Sequence, residues 1–450
     1  MSKLFDLEFG PEVLHLRLPE AAEIIALPEA PALPDPARAV RAALERPLGS
    51  PPLAELARRA RARHGDPAAV IVVSDNTRPT PYRGPESILE PILDILRSAG
   101  IARIDILVAT GTHRALAEAE LRALLPEGAF APGVAVHNHD GRDPAQLRRL
   151  GRTPRGTEAW INRRYLDADL KILTGLAEPH FMAGVSGGPK AICPGIAGEE
   201  VTHTFHGAAM MADPRACSLR LDGNPCHAES AAVADMAGAD FIVNATINRR
   251  RRLTGVFAGE LRAAHRAACA RVLAEAGLPL AHEYDLVVTH AGVTGVNHYQ
   301  AAKAGVEAVR AVRRGGVLVL AANHTDADPV GGARYRRVLP LLRELGPDAF
   351  EQRVLAPDWT FIPEQWEVQM WGRVFRKLGP EGRLVYCAPR LTGAAFAEPG
   401  LPGEDGGAGL AGLAGRDLAE AMVQRALDRS GSGRTAVLAD GPYGVPVLNA

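Results

Sequence analysis

Lysine is scarce in this 450-residue chain: arginine supplies most of its 51 basic residues. Each lysine therefore invites a question about its purpose. The 5 cysteines (193, 217, 226, 269 and 387) form no CxxC pair, and an odd, scattered set does not make a disulfide framework. It fits a reducing compartment. No apolar run approaches the roughly 18 residues of a membrane span. Residues 1–6, Met-Ser-Lys-Leu-Phe-Asp, carry no apolar leader core, so a cytoplasmic location away from membranes is expected. Internal repeats, low-complexity tracts, HExxH, compact Cys/His clusters and the GxxxxGK[ST] phosphate loop are all missing, which argues against a conventional zinc site or a P-loop. With a net charge of −1, nothing recommends nucleic acid as a partner.

What is present is ordinary globular material, 47% hydrophobic and 23% charged, in a chain long enough to split into two domains. Short apolar runs at 69–74, 104–109, 133–137, 170–173 and 240–246 read as strands of a buried parallel sheet. They alternate with helical patterns at 86–99, 116–125, 226–237 and 259–276. The alternation restarts with strands at 285–290, 316–321 and 383–388 and helices at 298–313, 333–344, 363–378 and 416–428. A strand at 435–439 follows. We therefore expect an α/β fold of two α/β domains with mostly parallel sheets and an active-site cleft between them. The expected domains are 1–277 and 284–391, broken at Gly277-Leu-Pro279. The Gly/Ala/Pro-rich stretch 392–414 reads as a linker, and 392–450 as a tail packing back on the first domain.

In such sheets ligands collect at the carboxyl ends of the strands, and the polar clusters sit there. Glu178-Pro-His-Phe, Gly187-Gly-Pro-Lys190 and Pro194-Gly-Ile-Ala-Gly198 form one loop rich in glycine and proline, with Lys190 at its centre. Glycines let backbone approach a ligand closely, and their amides can line an anion site. A lysine in uncharged surroundings can serve as a nucleophile or covalent anchor; the competing reading is an ordinary surface lysine. Ser74-Asp-Asn-Thr-Arg-Pro sets Asp75 and Arg78 in a stiffened loop, where an arginine can clamp a carboxylate or simply be solvated beside a turn. His113 follows a strand in Gly111-Thr-His-Arg114, and His180 lies in the central loop. His203 and His206, three apart, could share a helix face and one of them a metal. His137 and His139 read as structural, and His64, His265 and His282 as surface positions. Tyr299-Gln-Ala-Ala-Lys303 opens a helix and turns Gln300 and Lys303 the same way; Trp366 could shield a site, while Trp371 reads as core.

Between about residue 70 and 370, the order and spacing of these pieces resemble the nickel-pincer lactate racemase family, the LarA-like 2-hydroxy acid racemases and epimerases. The resemblance implies a nickel ion carried by a pyridinium-derived mononucleotide with two sulfur arms, joined covalently to Lys190 through a thioamide. By the same resemblance His206 is the protein ligand to nickel. Ser186, Gly187 and Gly188 receive the phosphate, and Tyr299 and Trp366 border the cofactor. His113 and His180 form an acid/base pair, with Arg78 and Lys303 holding the substrate and Asp75 and Gln300 orienting them. The implied partners are a small 2-hydroxy acid and the enzymes that build the cofactor. The implied reaction is racemisation or epimerisation by proton-coupled hydride transfer. The stretch Val293-Thr-Gly-Val-Asn-His298 departs from lactate-specific members, so malate, aromatic or sugar acids stand beside lactate as substrates. Two further readings use the residues alone: a metal-dependent hydrolase or lyase working through His203 and His206, and a non-catalytic protein that binds an organic acid or nucleotide.

Overall fold

The computed structural model describes residues 2–429 and 433–448. Its contacts divide the chain into two units, one of 29–206 with 215–275, the other of 1–28, 207–214 and 276–450.

The first unit is built on a six-stranded sheet. Its order is Leu253–Gly259, Phe241–Ile247, Leu170–Leu176, Ala68–Ser74, Arg103–Ala109 and Val134–Asn138. All neighbours run parallel except the first hairpin. The central strand Ala68–Ser74 is buried from Ala69 through Val73, so the unbroken apolar run is what a strand covered on both faces requires. Leu89, Ile92, Leu93 and Leu96 bring a helical stripe onto one face and join Ile71, Val73 and Ile106 in a single core. One consequence decides everything downstream. The loops after Ser74, Ala109 and Leu176 leave the sheet at the same edge, because their strands are adjacent and parallel.

The second unit holds another six-stranded sheet, parallel throughout, in the order Glu404–Asp405, Arg383–Cys387, Val312–Ala321, Tyr284–His290, Thr435–Leu438 and Glu23–Ile25. The hairpin of Ser2–Phe9 and Glu12–Pro19 packs Leu7, Leu14, Leu16 and Leu18 into the same core as Val288, Val319 and Val437.

The division therefore differs from the expected 1–277, 284–391 and 392–450. Residues 1–28 and the tail belong with the second unit. Strand Thr435–Leu438 completes that sheet by pairing with Tyr284–His290 on one side and Glu23–Ile25 on the other. The glycine-rich stretch expected to be a linker contributes the edge strand Glu404–Asp405. The second unit resumes at Ala276. Among the described residues no helix is long and apolar enough to cross a membrane.

Candidate functional site

Three loops at the carboxyl edge of the first sheet are bonded to one another. Asp75, 4% exposed, receives His113 Nδ1 at 2.6 Å on one oxygen and the Thr77 hydroxyl at 2.5 Å on the other. Burial pushes the Asp75 carboxyl up, but the bond and charge of His113, with Thr77 and Arg78, outweigh it and hold the pKa below the ordinary value. Asp75 is thus a carboxylate that can only accept, so the shared proton sits on His113 Nδ1 and leaves a lone pair on Nε2. The ring is half exposed. That is the arrangement of an oriented base.

Arg78 pairs with Glu178 and so links the first loop to the third. The amide of Gly111 donates to Gly195 O at 2.9 Å and links the second to the third. Beneath them the buried Tyr82 hydroxyl takes the Ser74 amide at 2.7 Å and meets Thr174 Oγ1 at 3.0 Å, tying two strand ends together.

The lysine loop is held from within. Ser186 Oγ donates to Leu176 O at 2.8 Å, and the Ser186 amide to Glu178 O at 2.9 Å. The Gly188 amide donates to Asn244 Oδ1 at 3.1 Å. These two amides, expected to face a phosphate, are engaged inside the protein. Gly188 has φ +51, and a Cβ there would lie 2.3 Å from His265 Cγ. His265 is buried rather than on the surface as expected, with Nε2 3.1 Å from Ser186 O. Burial is the main reason its imidazole is pushed down to about 4.

The turn these bonds fix, Gly188–Ala191, places Lys190 Nζ 4.9 Å above the Phe205 ring. Phe205 in turn meets His206 edge-on at 4.6 Å. The helix Val201–Phe205 stops short of His206, which caps it. His203 stands exposed while His206 is half-buried. Burial, then the charge of Lys190, holds His206 well below the ordinary imidazole value. A neutral imidazole is the form that can ligate a metal. Among the described residues no group of three or more His, Cys, Asp or Glu side chains could hold a metal ion. A metal here would draw its remaining ligands from elsewhere. A neutral imidazole beside a lysine amine fits a cofactor that is both ligated and tethered.

The second unit gathers the other expected residues. Asn297 caps the helix His298–Ala308 by accepting the Gln300 amide at 2.9 Å. Trp366 Nε1 donates to the Tyr299 hydroxyl at 2.9 Å. Trp371 is fully buried and stacks on His298 at 4.6 Å, a core position for both rings. Glu367, which sequence reasoning missed, is 3% exposed, and its Oε2 has no hydrogen-bond partner among the described residues. Burial pushes its carboxyl up to about 8 against the opposing charge of Lys303. Glu178 and Asn244 were also missed. Glu178 was visible only as part of the Glu-Pro-His motif, and Asn244 lies inside an apolar strand where a single amide gives no periodic signal.

Residues 9–218 match the family model described as the lactate racemase N-terminal domain. The lactate racemase of Thermoanaerobacterium thermosaccharolyticum is 33% identical over 341 residues, covering 74% of this chain and 76% of that protein. The lactate racemase of Lactiplantibacillus plantarum is likewise 33% identical, over 340 residues and the same shares of each. The solved lactate racemase apoprotein from T. thermosaccharolyticum superposes with a TM-score of 0.83 at 27% identity, covering 100% of both chains. A Thermotoga maritima protein shares the fold, with a TM-score of 0.61 at 19% identity over 88% of this chain and 97% of its own. The chain belongs to the lactate racemase family and is an isomerase of the racemase type.

Proposed function

We propose that this protein racemises or epimerises a small 2-hydroxy acid, lactate or a larger relative, with a nickel-pincer nucleotide tethered to Lys190 and ligated through His206. The observation that carries the reading is the neighbourhood of Lys190, Phe205 and His206: a scarce lysine over an aromatic ring, beside an imidazole kept neutral. When bound, such a group supplies a hydride acceptor, the chemistry no side chain can provide.

The chain's own share is binding and proton work. The Cα–H of a 2-hydroxy acid is poorly acidic because the adjacent carboxylate is already anionic. Oxidation of the alcohol carbon avoids that carbanion, provided the O–H proton has a base to go to. His113 Nε2 offers one, with Asp75 compensating the charge that results. His180 serves the opposite face, since the hydroxyl points to opposite sides in the two stereoisomers. Arg78 and Lys303 hold the carboxylate and hydroxyl region, oriented by Asp75 and Gln300, and Tyr299 with Trp366 borders the cofactor. Ser186, Gly187 and Gly188 act chiefly by fixing the turn that carries Lys190, because two of their amides are spent on Glu178 and Asn244.

Intact mass and metal content test the tether. Protein produced with the cofactor-building enzymes should carry a lysine adduct and nickel, and Lys190→Ala should carry no adduct. Chiral analysis of enantiopure 2-hydroxy acids with the loaded protein then names the substrate. Loaded protein that racemises none of them would sink the reading.

A further inference from the structure

The two imidazoles proposed as an acid/base pair are not held alike. His113 gives its Nδ1 proton to the Asp75 carboxylate at 2.6 Å. His180 does the reverse. Its Nδ1 lies 3.1 Å from the Ala183 amide and 3.3 Å from the Met182 amide, and both are donors. A nitrogen that accepts cannot also carry a proton, so neutral His180 has its proton on Nε2.

The turn that supplies these amides is built and clamped. Pro179–His180 pairs antiparallel with Gly184–Val185, His180 opposite Gly184. Gly184 has φ +84, and a Cβ there would sit 2.2 Å from Arg220 O, so only glycine fits. Its carbonyl takes the Leu219 amide at 3.0 Å. The clamp is Asn224, fully buried and unassigned by the family motifs. Its Oδ1 caps the helix Pro225–Ala237 by accepting the amides of Cys226 and His227 at 2.9 and 3.1 Å. Its Nδ2 donates to Met182 O at 2.9 Å and Arg220 O at 3.0 Å. Every polar atom of that side chain is engaged, and reversing the amide would break all four bonds.

We propose that Asn224 is the positioning residue for His180, fixing its turn so that His113 and His180 stand as opposite tautomers, a lone pair on the first Nε2 and an N–H on the second. Before His180 can take up a proton, its Nδ1 must leave the two amides. One stereoisomer then meets a ready base and the other a ready donor. Because stereoisomers of a molecule with one stereocentre are equal in energy, kcat/KM must match in the two directions, so the inequality appears in kcat and KM separately. This rests on the proposed roles of the two histidines, yet the tautomers can be read without any activity.

The experiment is two-bond ¹H–¹⁵N correlation of histidine-labelled, cofactor-free full-length protein, above the ordinary imidazole range. Signals lost in His113→Gln and His180→Gln provide the assignments. We expect a proton-bearing Nδ1 for His113 and a proton-bearing Nε2 for His180. Asn224→Asp keeps a good helix cap but loses the donor, and should convert the His180 pattern to an averaged one while leaving His113 as it was. Asn224→Ser, a cap without the reach, should do the same if the aspartate variant folds poorly. Identical tautomers in the wild type, or an unchanged His180 pattern in both variants, overturns the proposal even if loaded protein is an active racemase. The predicted tautomers in a protein that racemises nothing would instead sink the functional reading.

Discussion

His113 Nδ1 lies 2.6 Å from Asp75 Oδ2, and this bond joins the end of one buried strand to the loop after its neighbour. An amide in place of the carboxylate would lose the charge that favours an imidazolium. Asp75→Asn should lower kcat by on the order of 10²-fold or more, within the usual span for general base catalysis. It should change KM much less. Steady-state rates of the loaded enzyme check this, and an unchanged kcat would remove Asp75 from the proton path.

The same carboxylate makes an acid-side stability prediction. Its folded pKa is depressed below the ordinary aspartate value of 3.8. The stability it contributes is therefore present above about pH 4 and is lost as pH falls through the folded value. Urea unfolding between pH 6 and 2 should show a shallower acid loss in Asp75→Asn than in wild type.

Glu367 predicts the opposite slope. Burial raises its carboxyl from 4.5 to about 8. The folded state then holds a proton that the unfolded chain releases, so stability is full below pH 4.5 and declines as pH rises toward about 8. The slope is at most about 1.4 kcal/mol per pH unit. Glu367→Gln should flatten this stretch of the stability profile. A wild-type profile already flat there would mean that solvent or a partner group compensates the charge.

Gly188→Ala should destabilise by about 1–3 kcal/mol or more, because its Cβ meets the buried His265 ring at 2.3 Å on a backbone of positive φ. Pairing it with His265→Ala should recover part of the loss, since the space is then vacated. Denaturant midpoints of the two single variants and the double variant decide the point.

Much of this was legible in the sequence. Unbroken apolar runs such as 69–74 announced strands buried on both faces, and parallel neighbours sent Asp75, His113 and Glu178 to one edge. What escaped was pairing between segments far apart in sequence. Nothing local in 23–25 says that it will align with 435–438, nor that the hairpin Ser2–Phe9 and Glu12–Pro19 will pack on the second sheet. In the strand Leu147–Arg152, arginines and a glycine interrupt any alternation, and Glu158–Asn162 offers only five residues with no clear period. Asn224 precedes a proline and carries no motif of its own. Its second task, on Met182 O, exists only in three dimensions.

In the proposed reaction the alcohol carbon is oxidised and reduced again rather than stripped of a proton. Racemisation by the loaded enzyme in deuterium oxide tests it most directly. Hydride return should give product whose Cα keeps its original hydrogen through many turnovers; rapid, complete deuteration at Cα would overturn the proposed reaction.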